Sequence, residues 1–259
     1  MKFITCLILA VCNLSFAHSQ IKANLLATQH TEKNTVIGLD NLGAVYYCNT
    51  NELSKQTQRQ TLNYTNLQLG NISTVNTFNP LKINVFYSAF NTVIILDNRL
   101  AEIFKIDFNS LNPYRNPTFI STGYDNTIWL FNDINQQLEL YDYKYGNQRA
   151  QSTPINGKVL DLKSDYNWCW LLTEDFIYQF NYVGSMVYKV KNEGFTRLFP
   201  FKESLILQKE NTLYYLKRDD SNFHSISLPE LLIKQFFVTN ESLYIYDTET
   251  VYQFQLKTE

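Results

Sequence analysis

The chain has 259 residues, 45% of them apolar and 18% charged, enough for one large core or two small ones and too apolar for wholesale disorder. Its 22 Lys and Arg against 24 Asp and Glu leave a net charge of -2, which removes the attraction that non-specific binding to DNA, RNA or anionic lipid requires. Aromatic residues reach 15%, with 18 Tyr and 18 Phe, and Gly is confined to 8 positions, a composition suited to strands.

Residues 1–19 read as a secretory signal peptide: Lys2 supplies the charge, 3–16 an apolar stretch, and Ala17-His18-Ser19 a small-x-small site before Gln20. Cleavage is expected after Ser19 or Gln20, which places the mature protein in the periplasm. Val11 is larger than the Gly, Ala or Ser that precedes a lipidated cysteine, so no lipid anchor is expected at Cys12. No later stretch is apolar for long enough to span a bilayer as a helix, so no transmembrane segment is expected in the mature chain. Removal of Cys6 and Cys12 leaves Cys48 and Cys169.

From residue 36 onward one hairpin recurs six times. The first strands are 36–39, 93–96, 128–131, 168–171, 205–207 and 243–246, each followed by a polar turn such as Asp40-Asn41 or Asp97-Asn98. The second strands are anchored by Tyr46, Phe104, Tyr141, Tyr178, Tyr214 and Tyr252, spaced by 58 residues at first and by 36 to 38 thereafter. The polar stretch 49–61 has no periodicity and is expected to be a loop that accounts for the longer first spacing. Innermost strands are expected at 83–87, 118–121, 159–162, 195–199 and 233–238, and outer, solvated strands at runs such as 185–191 and 222–228. The period predicts an all-β fold, a single six-bladed β-propeller over 20–259 with about 37–40 residues per blade. A sandwich or barrel demands no such constant spacing. The last blade lacks an outer strand unless 21–26 returns to complete it and protect the open edge. Cys48 and Cys169 then fall in the first and fourth units, too far apart for a disulfide, and are expected to be buried free thiols.

Motifs for chemistry are scarce. His30 and His224 have no second ligand at metal spacing, so no metal site and no cofactor are expected. The recurring Asp40 and Asp97 fit structural turns, and Trp129, Trp168 and Trp170 fit packing between blades, so no catalytic residue is assigned. A hydrolase or carbohydrate-binding protein with its site at the central channel is the alternative, since carboxylates from distant blades could converge there. Pro80, Pro113, Pro117, Pro154 and Pro229 are expected in the connections from one blade to the next, on the same face as the Asp-Asn turns. Rigid loops there suit docking. The candidate interaction face is Phe78, Leu81, Lys82, Tyr114 and Arg115, apolar, aromatic and cationic side chains flanking Pro80 and Pro113.

The segment Phe78-Asn79-Pro80-Leu81-Lys82-Ile83, with Phe86-Tyr87, Phe90-Asn91-Thr92-Val93 and Leu96-Asp97-Asn98, resembles small exported propeller-like proteins of Flavobacteria and their relatives. Among these it looks most like the Plug component at the periplasmic mouth of the type 9 secretion translocon. The resemblance implies a non-catalytic protein-protein interaction module of a cell-envelope machine. Its partner would be an outer-membrane or envelope complex, outside which the chain is expected to be a monomer.

Overall fold

The computed structural model describes residues 21–31, 35–239 and 242–257. The segment 1–19, with its cleavage site and Cys12, lies outside them. The fold is all-β; among the described residues the strands are interrupted only by two single-turn 3-10 segments, Ser88–Phe90 and Phe108–Ser110, and no helix is long and apolar enough to cross a membrane.

After β1 (Ile21–His30) the strands run as four-stranded meanders. The first unit holds β2 (Thr35–Leu39), β3 (Val45–Asn49), β4 (Glu52–Gln56) and β5 (Thr61–Thr65). The second holds β6 (Thr74–Asn76), β7 (Ile83–Tyr87), β8 (Thr92–Leu96) and β9 (Glu102–Asp107), and the third β10 (Pro117–Thr122), β11 (Thr127–Asn132), β12 (Gln137–Asp142) and β13 (Asn147–Gln151). The fourth comprises β14 (Val159–Ser164), β15 (Trp168–Thr173), β16 (Phe176–Asn181) and β17 (Met186–Lys191). The fifth comprises β18 (Arg197–Phe201), β19 (Ser204–Lys209), β20 (Thr212–Leu216) and β21 (Phe223–Ser227). The chain finishes with β22 (Gln235–Val238), β23 (Ser242–Tyr246) and β24 (Thr250–Lys257). The first four units are separate sheets; the rest form one eight-stranded sheet in the order β18-β19-β20-β21-β1-β24-β23-β22. Its halves meet where β1 pairs in parallel with β21 at Ile21↔Ile226 and Lys22↔Ser227.

β1 therefore completes the last meander, a closure that the sequence left open, and runs further than 21–26: it pairs antiparallel with β24 from Lys22↔Lys257 to His30↔Thr250. The first strands β2, β6, β10, β14, β18 and β22 touch in cyclic order, so the units surround a common axis. Hydrophobic clusters fill the seams. One joins Tyr46 and Leu53 to Val85 and Ile94, the next joins Phe86 and Val93 to Leu130 and Tyr141, and the remaining seams are filled alike. The smallest, Val36, Val45 and Tyr47 against Phe237, Tyr246 and Val251, closes the last unit on the first. Middle strands are covered on both faces, which explains uninterrupted runs such as Thr92–Leu96, in which every residue is buried. Trp129 and Trp170 lie in seams as expected, and half-buried Trp168 packs beside Trp170 under the Arg218 guanidinium, 5.4 Å from the ring.

The repeat is in a different register from the one read in sequence. In the third to sixth units the recurring hairpin is the second and third strands. In the first unit it is β2 and β3, the first and second, and in the second unit β8 and β9, the third and fourth. That slip, and not a loop, lengthens the first spacing, because 49–61 contains β4 and leads into β5. Strand β4 escaped notice because one of its two inward positions is a lysine: Lys55 is buried beside Leu53, with Nζ 3.7 Å from Asp40 Oδ2 and 5.4 Å from the Tyr46 ring. Likewise 83–87 is a second strand, and the innermost strand of that unit is the short polar β6.

The two ends of the strands define two faces. First-to-second and third-to-fourth turns share the hairpin face; second-to-third turns and the links between units share the connection face. Pro113, Pro154 and Pro229 lie in links and Pro117 opens β10, but Pro80 lies in the β6–β7 loop on the hairpin face. Asp40-Asn41 and Asp97-Asn98 are also on the hairpin face, so the expected sharing of one face by prolines and Asp-Asn turns does not hold. The turns themselves are as read: Asp40 accepts the Leu42 and Ala44 amides at 2.9 Å, and Asp97 those of Arg99 and Ala101 at 2.8 and 2.9 Å.

Cys48 on β3 and Cys169 on β15 are unpaired, Cys169 fully buried and Cys48 only half-buried. Burial pushes both thiols up from their ordinary values, Cys169 the further, with the Asp165 charge adding to it. A thiol reagent should modify Cys48 slowly in the folded protein and Cys169 only on unfolding, without reductant in either case. A requirement for reductant would reveal a disulfide and contradict the placement of the two cysteines.

Candidate functional site

A cavity of about 690 Å³ lies between the first strands. Its wall comes from β2, β6, β14, β18 and β22, and Asn41, Phe78, Tyr166, Asn167, Lys202 and Thr239 frame its mouth on the hairpin face. No β10 residue lines it, because hydrogen bonds tie that strand between its neighbours. Asn76 Nδ2 donates to Ser121 Oγ at 3.0 Å, Thr122 Oγ1 to Asn76 Oδ1 at 3.1 Å, and Ser164 Oγ to Ser121 Oγ at 2.7 Å. Asn84 Nδ2 reaches Thr122 Oγ1 at 3.0 Å. These buried polar groups are therefore satisfied, as burial demands.

The cavity carries both signs of charge. Lys163 Nζ donates to Asp161 Oδ1 at 3.0 Å, and Asp161 Oδ2 accepts the Leu198 amide of the next unit at 3.0 Å. Arg197 Nη1 is spent on the Lys234 carbonyl at 3.1 Å. Asp165 Oδ1 accepts the Asn167 and Trp168 amides, both at 2.7 Å. Burial pushes its carboxyl up from the ordinary value, and those two hydrogen bonds offset part of the rise.

The expected interaction residues separate into two groups. Phe78, Leu81 and Lys82 lie in the β6–β7 loop on the hairpin face, whereas Tyr114 and Arg115 lie in the β9–β10 link at the opposite end of the strands. They do not form one surface. Arg115 is not a surface residue either: it is 5% exposed, its Nε donates to Glu139 Oε2 at 2.7 Å, its Nη1 donates to the Pro113 carbonyl at 3.0 Å, and its guanidinium sits 4.9 Å over the Tyr141 ring. Tyr114 beside it is exposed.

On the hairpin face the first group belongs to a larger aromatic surface. Phe78 packs edge-on against Tyr166 of the fourth unit, with centroids 5.0 Å apart. Lys82 Nζ bonds the Asp125 carbonyl and, at 3.3 Å, Asn126 Oδ1, next to Tyr124 of the third unit. Tyr124 packs against Tyr182 of the fourth at 6.0 Å. Leu81, Tyr145, Tyr166, Tyr182 and Val183 around these contacts are all exposed. The three tyrosines Tyr145, Tyr166 and Tyr182 follow turn residues Asp142, Asp165 and Asn181 whose side chains cap the turn amides, and Tyr124 opens a tight turn in which its carbonyl accepts the Thr127 amide at 2.9 Å. A tyrosine beside a turn Asp or Asn was a signal available in the sequence.

The sequence matches no family model and no curated protein. Its fold is similar to several solved structures. A streptogramin B lyase matches with a TM-score of 0.63 at 12% identity, over 90% of this chain and 88% of that one. A catalytically inactive histidine-to-alanine variant of virginiamycin B lyase from Staphylococcus aureus, solved with quinupristin, matches with a TM-score of 0.62 at 12% identity, over 88% and 82%. A chain of a mitotic checkpoint complex matches with a TM-score of 0.60 at 9% identity, over 98% of both. At such identities the likeness is one of fold, and that fold is the β-propeller.

Proposed function

We propose that the chain is a six-bladed β-propeller acting as a non-catalytic protein-protein interaction module of a cell-envelope machine, and that it docks through its hairpin face. Six four-stranded meanders with first strands in cyclic contact support the blade number. The observation that carries the docking reading is the run of exposed Leu81, Tyr166, Tyr182, Val183 and Tyr145 across three units of one face. Apolar side chains in solvated turns gain little from folding, and aromatic residues next to cations are enriched at interface centres. The virginiamycin B lyase loses activity with a histidine, whereas His30 and His224 of this chain lie on the outer strands β1 and β21, away from the cavity. Export with cleavage after Ser19 or Gln20 leaves β1 whole. The resemblance of 78–98 to the Plug component makes the periplasmic mouth of the type 9 secretion translocon the place where such a module would act.

The test is capture of envelope complexes from detergent extract by the tagged protein. Leu81→Glu with Tyr182→Ala should weaken capture by about 2 kcal/mol, or about 30-fold, with the unfolding midpoint unchanged. Tyr114→Ala on the opposite face should leave it intact. Loss of capture with Tyr114→Ala and retention with the double variant would move the interface to the connection face.

A further inference from the structure

We propose that the central cavity is a carbohydrate site, taking a neutral oligosaccharide of about two or three rings through its mouth on the hairpin face. The inference goes beyond protein docking and rests on the chemistry of the wall. The cavity, about 690 Å³, is of a size that ligand pockets have. An anionic ligand would meet Asp161 and Asp165, and a cationic one Lys163, Arg197 and Lys202, so the wall favours no net charge. Asn41, Thr74, Asn167, Thr196, Gln235 and Thr239 set amides and hydroxyls around it from all five lining units, which suits a ligand dense in hydroxyl groups and ill suits an apolar one.

Two features at the mouth fit a sugar ring in particular. Phe78 and Tyr166 meet edge to face at 5.0 Å, and Tyr166 remains 46% exposed, so an aromatic ring is held rigidly where the C–H face of a pyranose could lie on it. The adjacent residue, Asp165, uses Oδ1 for two backbone amides, while Oδ2 has no hydrogen-bond partner among the described residues. Asp165 is half-buried and lines the cavity, and a pair of vicinal hydroxyls would supply donors to its Oδ2. The platform and the acceptor are consecutive in the chain and are locked by the same turn.

The test is titration calorimetry of the intact protein with cellobiose, N,N′-diacetylchitobiose and maltotriose as probes. At least one should bind, and Tyr166→Ala and Asp165→Asn should each weaken it by about 10-fold or more. Asn at 165 keeps the oxygen that the turn amides need, and Tyr166 is exposed, so neither change should shift the unfolding midpoint. The docking variant with Leu81→Glu and Tyr182→Ala should bind the sugar normally, so the two proposals fail separately. Absence of heat with all three probes at about 10 mM, or binding that survives both substitutions, would overturn the assignment.

Discussion

Arg115→Ala should lower the stability of the fold by about 3 kcal/mol, and its unfolding midpoint by about 10 °C for a domain of this size. The Arg115 guanidinium is closed off between Glu139 and the Tyr141 ring, and side-chain exposures are 6% and 2% for the two ions. Glu139 Oε1 is held by Asn132 Nδ2 at 2.9 Å and Asn135 Nδ2 at 3.1 Å, but Oε2 relies on Arg115. Removing the arginine strands a buried carboxylate, which costs more than the pair contributed, because desolvation remains uncompensated. Arg115→Met with Glu139→Gln should therefore recover a large part of the loss. Tyr114→Ala, one residue away in solvent, should change stability by less than about 0.5 kcal/mol. Thermal unfolding of the three variants beside the parent protein decides the matter. If Arg115→Ala unfolds like the parent protein, the side chain is not buried in this pair.

The hairpin repeat was legible because strands covered on both faces are written as continuous apolar runs, and because Asp and Asn cap the turns between them. The anchors Tyr141, Tyr178, Tyr214 and Tyr252 mark the third strands of four units correctly. The failures share a physical origin. Lys55 occupies an inward position where a hydrophobe was sought, since Asp40 and the Asn98 carbonyl, 3.3 Å from its Nζ, receive its charge. With β4 hidden, the first two units were aligned on the wrong strands, and a one-strand slip exchanges the two faces of the ring. Pro80 and its neighbours thereby joined Pro113 on a single imagined surface. Arg115 misled for a related reason: its partner Glu139 is 24 residues away on a different strand of the next unit, and nothing local marks a cation as buried. The tyrosines of the hairpin face were legible through their turn neighbours, but the face they share depends on the strand order.

Deleting residues 21–31 should abolish cooperative unfolding of the native fold and leave a chain that aggregates through β24. Strand β1 is mostly exposed along its length, and apart from Ile21 it buries little, so side-chain burial contributes only about 1.5–3 kcal/mol. Its larger contribution is the ladder with β24, which runs from Lys22 to His30. Each backbone hydrogen bond contributes about 0.5–1.5 kcal/mol net, and several of them together are comparable with a total stability of about 5–15 kcal/mol. Without β1 the last unit has three strands, its outer edge is an eight-residue strand carrying Val251, Tyr252, Phe254 and Leu256, and the smallest hydrophobic seam must hold it to the first unit. An unpaired edge of that length and apolarity recruits other chains. Leu26→Ser separates the two contributions, because Leu26 is 54% exposed and the substitution keeps the ladder; it should cost less than about 0.5 kcal/mol. A synthetic peptide of residues 21–31, added during refolding of the truncated chain, should restore a cooperative transition and suppress light scattering. A truncated chain that unfolds with the midpoint of the full one would show that the ring closes without its N-terminal strand.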